Sequence, residues 1–420
     1  MSTTGVRFAA RLLVIGVGIQ APLNHGPATL AAQTQDPVRT FSFDSRYVAQ
    51  TYSNDAVAGF GVDVLNLSTL STQLIEPSTR LRNAAQGVLL LVGSTILGQA
   101  FSLAFHEYGH GTRAAAAGFE PRYGFGTIST DAQVDAALLA PPEYKSFLPY
   151  FLGSFFTQNG YTLATPDDTR FPPLTQEELV ETGWNVLLAA GGLNNEMLLA
   201  ERIEDEMYRN GGHIGFITTY INSKLSASQY DLVGPFGDVG NTVTNYQAMG
   251  FDIDQDRIDS ASRASFFLSS LSYQLIYQTV RMFTGASIRF TAWEPGGVQL
   301  PNTSFFMTRS GLSYRVRTGY RTGAWQFPLA VERVFEGDKR TEVSIGAERG
   351  LERMHVGARV TVGEGIGVAL GAGYRIRDRV DLSAGYALYD SRNLLGERLI
   401  PSLENGSRYH DLFLRASFAY

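Results

Sequence analysis

Three residues with metal-binding and acid–base chemistry stand together in the segment Phe105-His-Glu-Tyr-Gly-His110. His106 and His110 are four residues apart, so on a helix their imidazoles project from the same face, about one turn from each other. At that spacing both rings can reach one Zn²⁺ ion at about 2.0–2.1 Å. Glu107 lies beside them, where a carboxylate can take a proton from water. The spacing therefore predicts His106 and His110 as zinc ligands and Glu107 as the catalytic base.

The element that must position this motif is a long apolar helix, predicted over Leu81–Ala117. Its stretch from Val88 to Phe105 is apolar on nearly every face, which is typical of a helix buried in protein or within a membrane. Ser94, Thr95 and Gln99 interrupt the stretch and favour burial in protein. Unpaired polar groups are costly in such surroundings, so a cluster of His, Glu and His there indicates a bound ligand. The competing interpretation is a helix end whose histidines only make hydrogen bonds.

The segment resembles the zincin metallopeptidases. The form His-Glu-x-Gly-His, followed by the small residues Ala114 to Gly118, is most similar to the site-2 protease group, in which the motif also ends an apolar helix. The resemblance implies a zinc metallopeptidase that hydrolyses peptide bonds in a peptide or protein substrate, with Zn²⁺ as its cofactor.

The third metal ligand has two main candidates. By resemblance to the second metal helix of the glutamate-type zincins, Glu196 in Leu193-Asn-Asn-Glu196 completes the site, and Asn195 or Glu201 orients it. The interval after His110 is far longer than in the thermolysin-like branch. Asp238 is the alternative, because the site-2 proteases use an Asp beside Gly on a later helix. His213 is a further candidate, although a cation there also suits the end of an acidic helix.

Other polar residues near these candidates receive weaker predictions. Tyr108, Arg113 and Tyr246 are candidates for polarising the substrate carbonyl. The acids that follow Glu196 on the predicted helix Gln176–Arg209 are expected to face solvent; they are Glu201, Glu204, Asp205 and Glu206.

The C-terminal zone, residues 285–420, changes from a helical to a strand period. It contains seven or eight short alternating segments separated by turn residues, as expected of an antiparallel barrel such as those of outer membranes. In the last segment, Leu412–Tyr420, alternate residues are apolar and the chain ends on an aromatic residue. This resembles the carboxy-terminal signal of outer-membrane barrels. The alternative is an edge strand of a soluble sandwich.

Composition and the N-terminus support export to a membrane. Charged residues make up only 18% of the chain, with 44 glycines, no cysteine and a net charge of −6. Without a basic tract, nucleic acid is excluded as the main partner. Residues 1–32 are predicted to be a signal peptide, cleaved near Ala31 or Ala32. The predicted location is the outer membrane of a Gram-negative bacterium, with the inner membrane or periplasm as alternatives.

The sequence thus predicts an α+β protein. A mixed segment with strands (33–80) precedes a mostly helical zinc-peptidase region (81–284) and a barrel-like region (285–420). The predicted function is a zinc-dependent endopeptidase associated with the outer membrane. The alternative function is an outer-membrane barrel protein for transport, adhesion or assembly, whose His-Glu-x-x-His segment is structural or inert.

Overall fold

The computed structural model describes residues 40–48, 53–70, 80–128, 130–139, 144–157, 159–166, 173–229, 237–377, 380–399 and 408–419. The predicted signal peptide lies outside these ranges. Residues 37–420 form one compact unit. The helical and strand zones therefore fold together, and the chain is α+β as predicted.

An antiparallel sheet of nine strands occupies the C-terminal zone. Its order is β1-β13-β12-β11-β10-β9-β8-β7-β6, so sequential hairpins run from β6 to β13 and the early strand β1 adds to the last one. The strands are β1 (Thr40–Asp44), β6 (Val298–Thr308), β7 (Gly311–Thr322), β8 (Trp325–Gly337), β9 (Thr341–Gly350), β10 (Met354–Val362), β11 (Ile366–Arg377), β12 (Val380–Asp390) and β13 (Arg408–Ala419).

Side chains alternate across this sheet with period two. On β8, Phe327, Leu329 and Val331 are exposed, whereas Ala330 and Glu332 between them are buried. The same outward apolar face continues along the later strands. Its exposed members include Ile345, Val356, Val360, Ile366, Leu370, Tyr374, Leu382, Tyr386, Leu412, Leu414 and Phe418. Polar residues such as Glu332, Ser344 and Thr361 lie on the inward face.

The helices precede the hairpins in the chain. They are α1 (Ser45–Val48), α2 (Asn54–Leu67), α3 (Arg80–Ala116), α4 (Asp131–Leu139), α5 (Phe147–Ser154), α6 (Gln176–Glu181), α7 (Trp184–Ala189), α8 (Gly191–Arg209), α9 (Phe216–Gln229), α10 (Asp238–Ala248), α11 (Gln255–Phe267), α12 (Ser270–Met282) and α13 (Leu394–Leu399). Two small sheets lie among them: β2 (Phe119–Phe125) with β3 (Gly160–Pro166), and β4 (Gly212–His213) with β5 (Arg289–Phe290).

The predicted helix over 81–117 corresponds to α3. It ends where Gly118 takes up a left-handed φ of 90°, a conformation that favours glycine. The predicted helix 176–209 is divided into three, and its first break follows Gly183, which also has a positive φ. Helices α11 and α12 are separated at Ser269, whose hydroxyl donates to the backbone oxygens of Ser265 and Thr303.

The two outer strands of the sheet, β1 and β6, are bridged by helices. Helix α2 packs on β1, α11 and α12 pack on β6, and α3 contacts both α2 and α12. The long helix α3 therefore lies on the side where the two outer strands, β1 and β6, do not pair. Among the described residues it is the one helix long and apolar enough to cross a membrane, over Ala84–Ala116.

Helix α8 lies against the inward face of the sheet. Glu201 and Glu204 on this helix are buried and pair with arginines on β7, Glu201 with Arg315 at 3.3 Å and Glu204 with Arg317. Asp205 also pairs with Arg317, at 2.8 Å. Burial alone would raise the pKa of Asp205, but the surrounding arginines lower it to about 2. The expectation that these acids face solvent was wrong, because the sheet supplies cations that stabilise them away from water.

Candidate metal centre

The two motif histidines meet at one point with a carboxylate from a second helix. Nε2 of His106 lies 2.7 Å from Oδ2 of Asp238, and Nε2 of His110 lies 3.2 Å from the same oxygen. The two Nε2 atoms are 3.3 Å apart. Helix α3 places the histidines one turn apart, as the sequence predicts, and the first residue of α10 brings Asp238 between them.

Each imidazole is held by a second contact through its other nitrogen. Nδ1 of His110 is 2.7 Å from the backbone oxygen of Leu188. Because a carbonyl oxygen can only accept a hydrogen bond, Nδ1 carries the proton, and Nε2 is free to bind a metal through its lone pair. Nδ1 of His106 is 2.8 Å from Oε1 of Glu196. Carbonyl and carboxylate partners of this kind fix the tautomer and orientation of metal-binding histidines.

The structure brings His106 and His110 together with Asp238 rather than with Glu196. The carboxylate of Glu196 contacts the ring nitrogen of His106 that points away from Asp238, so it cannot share a metal with the two Nε2 atoms in this arrangement. The geometry therefore favours the alternative ligand, Asp238. It gives Glu196 the orienting role that the sequence had offered to Asn195 or Glu201.

Asp238 lies directly against the two motif histidines. Burial would raise the pKa of its carboxyl group, but His110 and His106 outweigh that effect and hold the pKa well below its usual range. The residue therefore stays ionised, as a metal ligand must be. Its side chain is 18% exposed and that of His110 is 15% exposed, so the ligand atoms are not sealed from solvent.

The side chain of Glu107 is held by a residue of strand β3. The hydroxyl of Thr162 donates to Oε2 of Glu107 at 2.7 Å, and it is also 2.9 Å from the backbone oxygen of the same residue. This contact fixes one of the two carboxylate oxygens of Glu107. Thr162 was not predicted, since no motif surrounds it and only the packing of β3 on α3 brings it to the site.

Glycines allow the two central helices to approach each other closely. A Cβ added to Gly109 would come within 2.2 Å of the backbone oxygen of Gly191, and one added to Gly192 would come within 2.4 Å of the His106 ring. Such distances are far below van der Waals contact, so larger residues would displace the helix or the ligand. The pair Gly191-Gly192 was a signal in the sequence that the prediction did not use.

A buried network holds α3, α8 and the N-terminal helix α2 in register behind the metal ligands. The side-chain nitrogen of Asn195 donates to the backbone oxygen of Phe105 and to Asn54, each at 3.0 Å. Its oxygen accepts from Arg113 at 2.7 Å. Asn195, on α8, thus connects the residue before His106 and Arg113, both on α3, to α2, while Glu201 lies elsewhere, against β7.

The remaining predicted residues do not converge on the ligands. Tyr108 packs against Phe147 in an aromatic cluster, and the hydroxyl of Tyr246 donates to the backbone oxygen of Thr308 at 2.9 Å. Arg113 is committed to Asn195. His213 is buried beside Phe216. The structure therefore assigns none of the four a place at the metal centre.

The donor set fits zinc. In a tetrahedral site with ligands at about 2.0–2.1 Å, ligand atoms lie roughly 3.3 Å apart. Two of the three separations, between the two Nε2 atoms and from His110 to Asp238, are close to this value, while the third, from His106 to Asp238, is a hydrogen-bond distance of 2.7 Å that would lengthen around an ion. Two imidazoles and one carboxylate are a set of ligands that zinc accepts, and no thiolate is required. Among the described residues, the group has three His or Asp members, so a tetrahedral ion bound there would have its fourth position open to a non-protein ligand.

Comparison with known proteins provides little further guidance. No family model matches the chain, and no curated protein matches it. Among solved structures, the chain is similar to the crystal structure of Neisserial surface protein A (NspA), at 16% identity, covering 29% of this chain and 91% of that chain, with a TM-score of 0.12. At so low a TM-score this likeness carries no argument.

Proposed function

We propose that this protein is a zinc-dependent endopeptidase whose metal is held by His106, His110 and Asp238 and whose catalytic base is Glu107. The observation that supports the proposal is the convergence of three ligand atoms on one point, with the carboxylate of Glu107 on the same helix turn. A structural metal site is normally closed by four protein ligands, whereas a catalytic one keeps a position open. The three-ligand group favours catalysis.

The residues around the site supply the remaining chemistry. Zinc bound there would polarise the scissile carbonyl and acidify water. Oε1 of Glu107 takes the proton of the attacking water and returns it to the leaving amine, while Thr162 holds Oε2 and so fixes the direction of the other oxygen. Glu196 and the backbone oxygen of Leu188 keep the Nε2 atoms of the two histidines turned toward Asp238.

Zinc content and proteolysis of the purified full-length protein test this proposal. We expect about one zinc per chain in the wild type, and loss of that zinc in His106→Ala and Asp238→Ala. Glu107→Gln should keep its zinc but hydrolyse a casein substrate about 10²- to 10⁴-fold more slowly. Glu181→Ala, which removes an exposed acid from α6, is the control for surface charge.

Two results would contradict the proposal. Unchanged casein hydrolysis in Glu107→Gln would exclude Glu107 as the base. Full zinc in Asp238→Ala together with complete zinc loss in Glu196→Ala would return the third-ligand role to Glu196.

We further propose that the sheet is embedded in an outer membrane as a barrel completed by helices. Its outward positions are apolar and include Trp325, Tyr374 and Tyr386, aromatic residues of the kind that lie at membrane interfaces. Its inward positions carry charges paired to α8. Where β1 and β6 do not pair, the helices α3 and α12 continue the apolar surface with exposed residues; these are Val88, Leu89, Val92 and Ile96 on α3, and Tyr273, Tyr277 and Val280 on α12.

Two neighbouring residues of β11 test the orientation of the sheet in lipid. Leu370 faces outward and is exposed, while Ala369 faces inward. Near the middle of a bilayer an outward arginine costs about 2–4 kcal/mol. Leu370→Arg should therefore reduce insertion into phosphatidylcholine vesicles strongly, and Ala369→Arg should insert nearly as well as the wild type. Equal insertion of both variants would contradict the membrane assignment.

A further inference from the structure

A second site of different chemistry lies at the opposite end of α8 from the metal centre. The inward positions of β10, β11 and β12 are small there, namely Gly357, Ala369, Gly371 and Ser383, and they leave a cavity of about 540 Å³ between the sheet and the C-terminal part of α8. A Cβ added to Gly371 would find its nearest neighbour, the backbone oxygen of Ala384, at 3.8 Å. The small residues thus border open space rather than a packed neighbour.

The lining of this cavity is strongly cationic. Two acids, Asp55 and Glu348, face it, against one histidine, His355, and seven arginines. The arginines are Arg46, Arg202, Arg209, Arg321, Arg349, Arg359 and Arg415, and they come from α1, α8 and four different strands. Six of them reach the cavity from several directions, so their positive charges converge on its interior. The seventh, Arg349, pairs in register with the outward residue Trp325 and borders the cavity from the other face of the sheet.

Much of this charge is compensated by carboxylates. Arg202 pairs with Asp55 in the lining itself and with Asp205 at 3.5 Å, and Arg321 lies 3.4 Å from Glu294. Arg46 pairs with Asp44 at 2.7 Å and Arg415 with the same residue at 3.0 Å, while Arg209 pairs with Glu348 at 2.7 Å. A guanidinium has five N–H donors, so one carboxylate leaves several of them for a ligand. Within the described ranges, Arg349 and Arg359 form no ion pair. Arg349 lies over the ring of Trp325, and Arg359 is half-buried on the inward face of β10.

We propose that this cavity binds a small phosphate-bearing anion. Its volume lies within the roughly 300–1,000 Å³ that is usual for small-molecule sites. A carboxylate presents two oxygens in one plane, whereas a phosphate presents oxygens in several directions and can accept from guanidinium groups on opposite walls. The cavity shares no residue with the metal centre. The proposal of anion binding therefore does not depend on the proposed peptidase activity.

Binding of pyrophosphate to the purified full-length protein, measured by isothermal titration calorimetry, tests the proposal. Arg359→Gln removes a guanidinium that has no ion pair to lose, and Gly371→Leu fills the cavity without changing any charge. We expect saturable binding to the wild type, about tenfold or greater weakening in Arg359→Gln, and loss of binding in Gly371→Leu. Arg333→Gln, on the exposed outward face of β8, is the matched control and should bind as the wild type does.

Competition identifies the source of the phosphate. Displacement of pyrophosphate by glucose 1-phosphate would support a soluble phosphate ester, and displacement by dihexanoyl phosphatidic acid would support a lipid phosphate. Displacement by neither would overturn the proposal.

Three results with the variants would also overturn it. These are no saturable binding by the wild type, wild-type affinity in Gly371→Leu with an unchanged circular dichroism spectrum, and equal weakening in Arg333→Gln and Arg359→Gln. The last result would mean that pyrophosphate binds to surface arginines in general. Because Gly371→Leu and Arg359→Gln act through different physics, failure of one to fold leaves the other as a test.

Discussion

Helix α8 connects two regions that are built in opposite ways. In its first two turns, Gly192 and Glu196 lie against His106, and the backbones are so close that a methyl group added to Gly192 would collide with the ring. At its last turns, Arg202 and Arg209 face a cavity whose opposite wall is glycine and alanine. The first region is dense and combines anionic ligands with imidazoles, while the second is open and cationic.

The difference follows from what each kind of ligand demands. A metal ion requires donor atoms to be placed within a few tenths of an ångström, so its histidines are held by close packing and by partners on both ring nitrogens. An anion bound by arginines is held by long side chains that adjust to it, so the cavity needs charge and volume more than tight packing. Four predictions test this contrast.

The largest expected effect is a loss of stability when Arg398, which contacts the residues behind the metal centre, is replaced. Arg398 on α13 is fully buried, donates to Glu332 on β8 at 2.6 and 2.5 Å, and offers its backbone oxygen to Asn54 and Arg113 behind the metal centre. Arg398→Met leaves Glu332 buried without its cation, so we expect a loss of about 3–5 kcal/mol in the free energy of unfolding. Urea denaturation of the detergent-solubilised protein measures it.

The control for that prediction comes from the open region. Arg209 and Glu348 form a partly exposed pair, so Arg209→Gln should cost less than about 1 kcal/mol. Equal costs for the Arg398 and Arg209 variants would show that the two ends of α8 do not differ in rigidity.

The next prediction compares two glycines. Gly192→Ala forces a methyl group against the His106 ring, and overpacking of this kind costs about 1–3 kcal/mol. We expect zinc affinity to fall by about tenfold or more in a chelator competition assay. Gly371→Ala, at the cavity, has space for its methyl group and should leave zinc affinity unchanged. Loss of zinc affinity in both variants would indicate a general effect on folding.

A smaller effect is expected when the orienting carboxylate is changed. Glu196→Gln keeps an oxygen that can accept from Nδ1 of His106 but removes the negative charge, so zinc affinity should fall by about tenfold, at the low end for such partners. Asp205→Asn, on the same helix, should not change it. A loss of all bound zinc in Glu196→Gln would instead indicate a direct ligand.

The smallest expected effect is a pH dependence near the open region. Asp63 on α2 accepts from the backbone N–H of Ser42, and burial, with a contribution from Glu206, raises its pKa to about 7. A carboxyl group whose pKa is raised on folding stabilises the protein at low pH, and this contribution disappears as the pH rises toward 7. Asp63→Asn should therefore gain stability relative to the wild type as the pH rises from 5 to 8, measured by urea denaturation across that range. The control Asp131→Asn, at an exposed site, should not gain.

Prediction from the sequence succeeded where the signal was local. The spacing of His106 and His110 places two imidazoles on one helix face whatever surrounds them, and the alternation along β8 to β13 assigns one apolar and one polar face to each strand. The strands before residue 285 were harder to place. β1 was expected as a strand of a separate segment, but it pairs with β13 near the end of the chain.

Prediction failed where a residue's role depends on a distant partner. In the sequence, Glu201, Glu204 and Asp205 look like the polar face of a surface helix. In the structure, ion pairs with the arginines of β7 offset the cost of removing these carboxylates from water. The choice between Glu196 and Asp238 had the same difficulty, because each is an acid in a plausible local context.

The amino-acid sequence determined the short-range chemistry of this protein: a helix that presents two histidines and a glutamate, and strands with one apolar face. Tertiary structure decided which acid joins the histidines, since Asp238 lies 128 residues from His110 in the chain and 3.2 Å from it in space. It also decided that small residues on three strands and arginines from several elements enclose one cavity. The periodicity of a sequence predicts the face of an element on which a side chain lies, but its contact partners depend on how distant elements pack together.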